Sequence, residues 1–308
     1  MEKKYIMYIV VILFILFVID KCMENNEHHN EGFIGSNNVK ISKCYVNNSL
    51  SVKKLSENRM MLKEYLRSLN YPVSNGFELQ DKQYPSKTIL FQMISANDIK
   101  MPLVIRGGNG WYCENVSPII SNVPTLFQTI KKMNDNIGGA IIEEHCDGSI
   151  YRMIYFNGSL IDCYKITIPF VVGNGKDTLN VLINRYIRNI SENNKNSENI
   201  KIMKPIIDNN SVNFNGYSSF DSIVPLNVKV QLDNYPSYNR GAIVSSYPIT
   251  KIHNDNRIIC DNFINKIIKA KCIAIDFLTN DMNVSYKNNG GIIVELNSNS
   301  DIEDAQAS

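Results

Sequence analysis

Three side chains with hard oxygen atoms lie near the C-terminus, in two short apolar runs. Asp276 is inside Ala274–Leu278, and Glu295 and Asn297 are inside Ile292–Asn297. Alternate residues of a strand point to the same face, so Glu295 and Asn297 would share one face of a strand. Mg²⁺ usually binds one or two carboxylates and completes its shell with phosphates and water. The pattern predicts a magnesium site at Asp276, Glu295 and Asn297. A surface hairpin with solvated polar side chains is the alternative that these residues alone leave open.

The segment between the two runs has the composition of a turn. Thr279–Asn283 and Lys287–Gly291 are rich in Asn, Asp and Gly, which favour turns. Two strands joined by such a polar hairpin would place Asp276 beside Glu295.

The composition is that of a globular protein. The chain has 308 residues, of which 44% are hydrophobic and 20% charged, which is ordinary for a folded domain. A chain of this length can bury one large core or two modest ones. The net charge of only +2 does not indicate a basic surface of the kind that binds nucleic acid, so nucleic acid is not an expected partner.

Seven cysteines are scattered along the chain without a Cys-x-x-Cys pair. This spacing argues against a zinc ribbon and against a compact disulfide scaffold. Reduced core thiols are the favoured interpretation, with disulfides as the alternative.

The N-terminus carries an uncharged apolar run, Tyr5–Ile19, which follows Lys3 and Lys4. The run is slightly short for a spanning helix, but flanking lysines extend such helices by snorkelling. No small residues mark a cleavage site after it, so residues 1–21 are predicted to be a transmembrane anchor rather than a cleaved signal peptide. Residues 22–40 are polar and are predicted to be a flexible linker. The expected location is a membrane, with a single pass; the lysines weakly favour a non-cytoplasmic body.

Residues 41–308 are predicted to form a globular α+β domain of two lobes. Apolar residues at helical spacing predict helices, and apolar runs bounded by turn signals predict strands. The predicted helices are Ser51–Leu69, Val123–Met133, Asp177–Ile190 and Asn254–Ala270. The predicted strands include Ile89–Ile94, Leu103–Ile105, Ala140–Glu144, Tyr151–Phe156 and Leu160–Tyr164, with a hairpin turn at Asn157-Gly158.

Four motifs in order resemble those of one family. They are EEHCDGSIYR at Glu143–Arg152, IPFVVGNGKDTL at Ile168–Leu179, ITKIHNDN at Ile249–Asn256, and Asp276 with Glu295-x-Asn297. Their order and spacing are similar to those of ATP-grasp ligases, especially the branch of cyanophycin synthetase and bifunctional glutathione synthetase, over Leu50 to Ser300. The resemblance implies the ATP-grasp fold, in which two α+β lobes with antiparallel sheets hold ATP between them.

The resemblance also implies a role for each candidate residue. The strand end at the hinge would bind the adenine, and Arg106 falls where the family has a phosphate-binding lysine. Arg152 would be the catalytic residue, because the N–H donors of its planar guanidinium could bind a γ-phosphate or an acyl phosphate. The implied cofactors are ATP and one or two Mg²⁺ ions, the latter at the predicted magnesium site. The implied nucleotide-binding residues are Arg106, Glu143, Glu144, His145 and Cys146.

The implied reaction is carboxylate activation by ATP. The carboxylate is phosphorylated, and an amine or thiol attacks the acyl phosphate; the substrate class is an amino acid or peptide. Catalysis of this kind depends on positioning and electrostatics.

Some residues depart from the family pattern and favour an alternative. Arg106 replaces a lysine, Ile150 replaces the acidic residue expected to hold the ribose, and Thr167 replaces an arginine. The segment expected to form the lid, Gly107–Glu114, has fewer glycines than the family's. The alternative is a membrane-anchored ATP-grasp-like pseudoenzyme with a nucleotide-binding or structural role.

Overall fold

The structure is a computed structural model that describes residues 48–80, 85–107, 117, 119–137, 140–196, 219–233, 236 and 241–298. The predicted anchor and linker (1–40) lie outside the described residues. Within the described ranges, no helix is long and apolar enough to cross a membrane.

The described strands form three antiparallel sheets. The strands are β1 (Gly76–Leu79), β2 (Leu103–Gly107), β3 (Ala140–Glu144), β4 (Ser149–Phe156), β5 (Ser159–Thr167), β6 (Phe170–Val172), β7 (Lys229–Gln231), β8 (Ile243–Ser246), β9 (Cys272–Thr279) and β10 (Ile292–Asn297). The sheet orders are β1-β3-β2, β10-β9-β4-β5-β8 and β6-β7. The predicted α+β class with antiparallel sheets is confirmed.

Helices cover these sheets. They are α1 (Leu50–Glu57), α2 (Arg59–Ser68), α3 (Lys87–Ala96), α4 (Val123–Ile137), α5 (Leu179–Asn196), α6 (Asn254–Asn262) and α7 (Tyr286–Asn289). After α6 the chain continues as a π-helix over Phe263–Ile268, and a 3₁₀ turn spans Ile249–Lys251.

One face of the five-stranded sheet is the main hydrophobic core. Helices α1, α2 and α6 and the π-helix pack against this face. Its largest fully buried side chains are Tyr151, Tyr155, Phe263 and Phe277. The opposite face of the same sheet carries a smaller buried cluster around Ile154 and Ala274 and the residues of the candidate site.

The other two sheets have separate cores. The three-stranded sheet packs against α3 and α4 around Leu90, Leu103 and Leu126. The two-stranded sheet packs against α5 around Leu179 and Val230. Besides the two predicted lobes, the described residues therefore contain a third, smaller unit of sheet and helix.

The predicted single helix Ser51–Leu69 is divided at Asn58, which corrects the prediction. Asn58 has extended backbone angles, and its Oδ1 accepts a hydrogen bond of 2.8 Å from the backbone N–H of Met61. An N-cap of this kind satisfies a free N–H of the first turn of a new helix. The apolar spacing continues across the break, so the pattern alone did not locate it.

The predicted strand Ile89–Ile94 is wrong, because these residues lie inside helix α3. Ser86 caps the helix by accepting from the backbone N–H of Ile89. Of the run, Leu90 is fully buried while Ile89 and Phe91 are about half exposed. A short apolar run does not by itself distinguish strand from helix.

The predicted turn at Asn157-Gly158 is confirmed. Both residues have positive φ angles, 47° and 80°, as a tight hairpin between β4 and β5 requires. The four described cysteines are free thiols, and Cys163, Cys260 and Cys272 are buried, as predicted for reduced core cysteines.

The connection between β9 and β10 is held by one buried side chain. The predicted polar hairpin contains the short helix α7 instead of a plain turn. Asn256 of α6 is fully buried; its amide donates to the carbonyls of Met282 and Val284, and its Oδ1 accepts from the N–H of Tyr286. Asn256 therefore fixes the loop that joins the two strands of the predicted magnesium site.

We predict that Asn256→Leu lowers the free energy of unfolding by about 2–4 kcal/mol, since three backbone groups of the β9–β10 connection lose the hydrogen bonds of a buried amide. Urea denaturation followed by circular dichroism measures this change. Ile258→Ala, at a half-exposed position of the same helix, is the matched control and should cost less than about 1 kcal/mol. Equal stability of Asn256→Leu and the parent chain would contradict the role of Asn256 in fixing the loop between β9 and β10.

Candidate functional site

An apolar row crosses the open face of the five-stranded sheet. Ile292, Leu278 and Ile150 are neighbours in register on β10, β9 and β4. All three line a cavity between this sheet and the strand end of β3. The row is a flat apolar floor of the kind that binds a planar aromatic group.

A charged row lies beside the apolar row on the same face. Glu295, Asp276 and Arg152 are neighbours in register on the same three strands. Asp276 is two residues from Leu278, and Arg152 is two from Ile150, so each pair shares a face about 7 Å apart. The predicted adjacency of Asp276 and Glu295 is confirmed. A β-bulge lies between Ile293 and Glu295.

Arg152 and Asp276 form a buried, two-bonded ion pair. Arg152 Nε donates to Oδ1 and Nη2 to Oδ2 of Asp276, each at 2.8 Å. The amide of Asn297 donates to the same Oδ2 at 3.3 Å. The exposed fractions are 7% for Arg152 and 2% for Asp276, so the pair is well shielded from water.

Glu295 is paired with an arginine of helix α2. Arg59 Nη2 donates to Glu295 Oε1 at 2.9 Å. Burial acts to raise the pKa of Glu295, but the charges of Arg59, Arg152 and Arg106 outweigh it and hold the pKa below its ordinary value. Glu295 is therefore a carboxylate in the folded protein, and cations from both lobes act on it.

The oxygen atoms of the predicted magnesium site suit the ion in type and number. An ionised carboxylate has about four acceptor positions, and the carboxylate of Asp276 accepts hydrogen bonds from Arg152 and Asn297. The amide of Asn297 donates to Asp276, so its carbonyl oxygen remains a separate acceptor. Two carboxylates and one amide oxygen fit the partial shell that Mg²⁺ takes beside phosphates. Among the described residues, no group of three or more His, Cys, Asp or Glu side chains is placed to hold a metal ion.

A second buried ion cluster lies at the end of β3. Glu143 forms salt bridges with Lys63, at 2.6 Å, and with Arg106. Ser74 hydrogen-bonds to both Lys63 and Glu143. Burial acts to raise the pKa of Glu143, but the charges of Lys63 and Arg106 hold it well below the ordinary range. The carboxylate of Glu143 is therefore held in ion pairs, and Arg106 is one of its two cationic partners.

The next three residues form the hinge wall of the cavity. The side chain of Glu144 accepts from the backbone N–H of Lys100 at 2.9 Å. Nε2 of His145 lies 3.1 Å from Oδ1 of Asp147. The backbone N–H of His145 donates to the carbonyl oxygen of Pro102. Burial raises the pKa of the Cys146 thiol to about 11, so this thiol is neutral and not a nucleophile at neutral pH.

The structure brings the predicted site residues to one cleft. The five predicted nucleotide-binding residues, Arg106, Glu143, Glu144, His145 and Cys146, all line the cavity. Arg152, Asp276, Glu295 and Asn297 lie on the sheet face that continues from its floor. The other cavity wall is formed by Ile168, Gln231 and Pro236. Most of the predicted lid, 108–114, lies outside the described residues.

Two cations of this cleft are absent from the sequence prediction. Arg59 and Lys63 are four residues apart on α2, so they share one face of the helix. Lys63 is only 2% exposed, and a lysine at a core-facing helical position is rare unless it is paired. The position of Lys63 between the apolar Leu62 and Leu66 was the feature of the sequence that could have indicated a buried, paired lysine.

Comparison with known proteins agrees with this architecture. No family model matches the chain. The chain is 26% identical over 161 residues to a cyanophycin synthetase from Synechocystis sp., a match that covers 51% of this chain and 18% of the relative. A bifunctional glutathione synthetase from Pasteurella multocida superposes with a TM-score of 0.51 at 15% identity, over 82% of this chain and 34% of that protein.

The chain therefore spans only a fraction of the length of these two proteins. At such identities the superposition establishes the fold, and the curated relative matches the same branch that the motifs indicated. The chain has the ATP-grasp fold, and the resemblance to the ATP-grasp superfamily that its motifs predicted is confirmed.

Proposed function

We propose that the protein is an ATP- and Mg²⁺-dependent ligase that joins a carboxylate to an amine or thiol. The observation that carries the proposal is the sheet face on which an apolar row adjoins a charged row. Ile150, Leu278 and Ile292 fit the flat adenine ring, and the arginines and carboxylates beside them fit the polyphosphate and its metal ion. The similar proteins named above are both synthetases, which supports the same class.

The chain's own groups have defined tasks in this proposal. The hinge wall Glu144–Cys146 closes the adenine end of the cleft. Asp276, Glu295 and Asn297 would hold Mg²⁺, which supplies charge neutralisation between phosphate oxygens. Arg152 would bind the transferred phosphoryl group with the paired donors that Asp276 accepts from in this structure.

The chemistry that follows is acyl transfer in two steps. The substrate carboxylate attacks the γ-phosphorus of ATP, which releases ADP and leaves an acyl phosphate. The amine or thiol then attacks the acyl carbon and releases phosphate. Arginines that are already oriented by ion pairs stabilise the developing charge without reorganisation. An amino acid or a peptide is the proposed substrate class.

A pseudoenzyme that binds nucleotide without turnover is the second candidate, and one observation favours it. Arg152 donates two hydrogen bonds to Asp276, and Arg59 donates one to Glu295. Each arginine is therefore occupied by a proposed metal ligand, which is the resting arrangement expected of a structural ion-pair network.

We also propose that the apolar run Tyr5–Ile19 anchors the protein in a membrane. The support is its length and lack of charge.

We predict that the full chain binds Mg·ATP and releases ADP when a suitable carboxylate and amine are supplied. Calorimetry measures the binding, and a coupled ADP assay over single amino acids and dipeptides measures turnover. Glu295→Gln should reduce ADP release about 100-fold or more, since a charge that holds the metal is lost. Asp281→Asn, in the loop after β9, is the matched control and should leave release unchanged.

The outcomes separate the two candidates. Absence of binding at millimolar Mg·ATP would contradict nucleotide binding altogether. Binding without ADP release for any substrate pair would favour the pseudoenzyme.

We predict that divalent metal binds poorly unless nucleotide is present. Arg152 and Arg59 compete with metal for Asp276 and Glu295, and ATP offers these arginines phosphate oxygens instead. Mn²⁺ used as a probe should bind at least about tenfold more tightly with a non-hydrolysable ATP analogue, as measured by electron paramagnetic resonance. A tenfold change corresponds to about 1.4 kcal/mol of coupling.

Arg59→Gln should strengthen nucleotide-free Mn²⁺ binding several-fold, because Glu295 loses its competing cation. Arg257→Gln is the matched control, since Arg257 pairs with Asp261 on the exposed side of α6. Tight Mn²⁺ binding by the unaltered chain without nucleotide would show that the arginines do not compete.

A further inference from the structure

One polar side chain of the cavity stands apart from the ion-pair networks. Gln231 of β7 lines the cavity on the side opposite the hinge. Across the cavity, the other polar lining side chains are engaged within the protein: Ser74, Arg106 and Glu143 in the buried ion cluster, Glu144 with Lys100, and His145 with Asp147. For Gln231 the structure gives no hydrogen-bonding partner among the described residues.

Gln231 and the residues of the apolar floor line the same cavity. The floor row continues from Ile150 to Ile166 on β5, and the chain then reaches Ile168, which also lines the cavity. Gln231 is paired in register with Phe170, two residues further on. Gln231 therefore pairs with the segment that follows β5, lines the same cavity as Ile150, and is exposed.

The floor itself offers nothing to a polar ligand group. Ile150, Leu278 and Ile292 have neither donors nor acceptors. A nucleoside on this floor carries two ribose hydroxyls beside its ring, and a hydroxyl that loses water without a new partner weakens binding. The primary amide of Gln231 has two donors and one acceptor oxygen, which suit a hydroxyl group.

We infer that Gln231 is a specificity-determining residue that hydrogen-bonds a ribose hydroxyl of the nucleotide, a task that Ile150 on the floor lacks the chemistry to perform. The inference rests on the proposed nucleotide binding and extends it to the choice between ribonucleotide and deoxyribonucleotide. Gln231 makes the site prefer ATP over the analogue that lacks the contacted hydroxyl. The reaction at the phosphate end does not involve Gln231.

Calorimetric titration of the full chain with Mg·ATP, 2′-deoxy-ATP and 3′-deoxy-ATP tests the inference. The unaltered chain should bind one of the two deoxy analogues about three- to tenfold more weakly than ATP, the range for one hydrogen bond between neutral groups. Gln231→Leu, which has a similar volume and no polar atom, should bind ATP and that analogue equally. Gln231→Glu keeps an acceptor for the hydroxyl and should retain the preference.

Lys229→Leu is the matched control. Lys229 lies two residues away on the same strand and face, with its ammonium 3.7 Å from the ring centroid of Phe170. It is absent from the cavity lining. This variant removes a charge near the site and should leave the ratio of the two affinities unchanged.

Each result has a separate meaning. A preference for ATP that survives in Gln231→Leu, or equal binding of all three nucleotides by the unaltered chain, overturns the role of Gln231 and leaves the proposed function standing. Absence of ATP binding by the unaltered chain overturns the proposed function, and the inference with it. Circular dichroism spectra that match the parent chain show that Gln231→Leu is folded.

Discussion

The position of β9 between β4 and β10 is the constraint on which the site depends. Antiparallel pairing on both sides puts Asp276 directly opposite Arg152 on one neighbour and Glu295 on the other. Residues paired across strands share a face, so these three charges have to meet. The same register brings Leu278 between Ile150 and Ile292. A slip of one residue would turn every one of these side chains to the opposite face, where the main core is packed.

Burying these charged side chains together costs free energy unless each has a partner of opposite charge, which explains why they are so closely paired. Among the side chains of the ion pairs in the cleft, four cations face three carboxylates; the cations are Arg59, Lys63, Arg106 and Arg152, and the anions are Glu143, Asp276 and Glu295. An unpaired buried charge is strongly unfavourable, whereas a paired one is about neutral for stability. The pairing therefore keeps these charges in place.

The sequence predicted the local parts of this site better than the long-range ones. The alternation of Glu295 and Asn297 and the turn-rich segment before them were enough to place Asp276 beside Glu295. The bulge before Glu295 has no comparable signal, and Ile89–Ile94 has an apolar content that suits helix and strand equally. Lys63 was missed because its burial depends on Glu143, eighty residues further along the chain. Only the folded chain brings such partners together.

The ion cluster at Glu143 also joins the two main sheets. Lys63 belongs to α2, which packs on the five-stranded sheet, while Glu143 and Arg106 belong to the three-stranded sheet. Removing one partner from a buried ion pair costs about 3–5 kcal/mol because the other charge is left unpaired, so separating the sheets along this edge would expose such a cost. The opposite edge of the cavity, at Gln231 and Pro236, belongs to the separate two-stranded unit and its own small core. The two edges of the cavity are therefore held differently, the first by a buried ion cluster and the second by a separately packed unit.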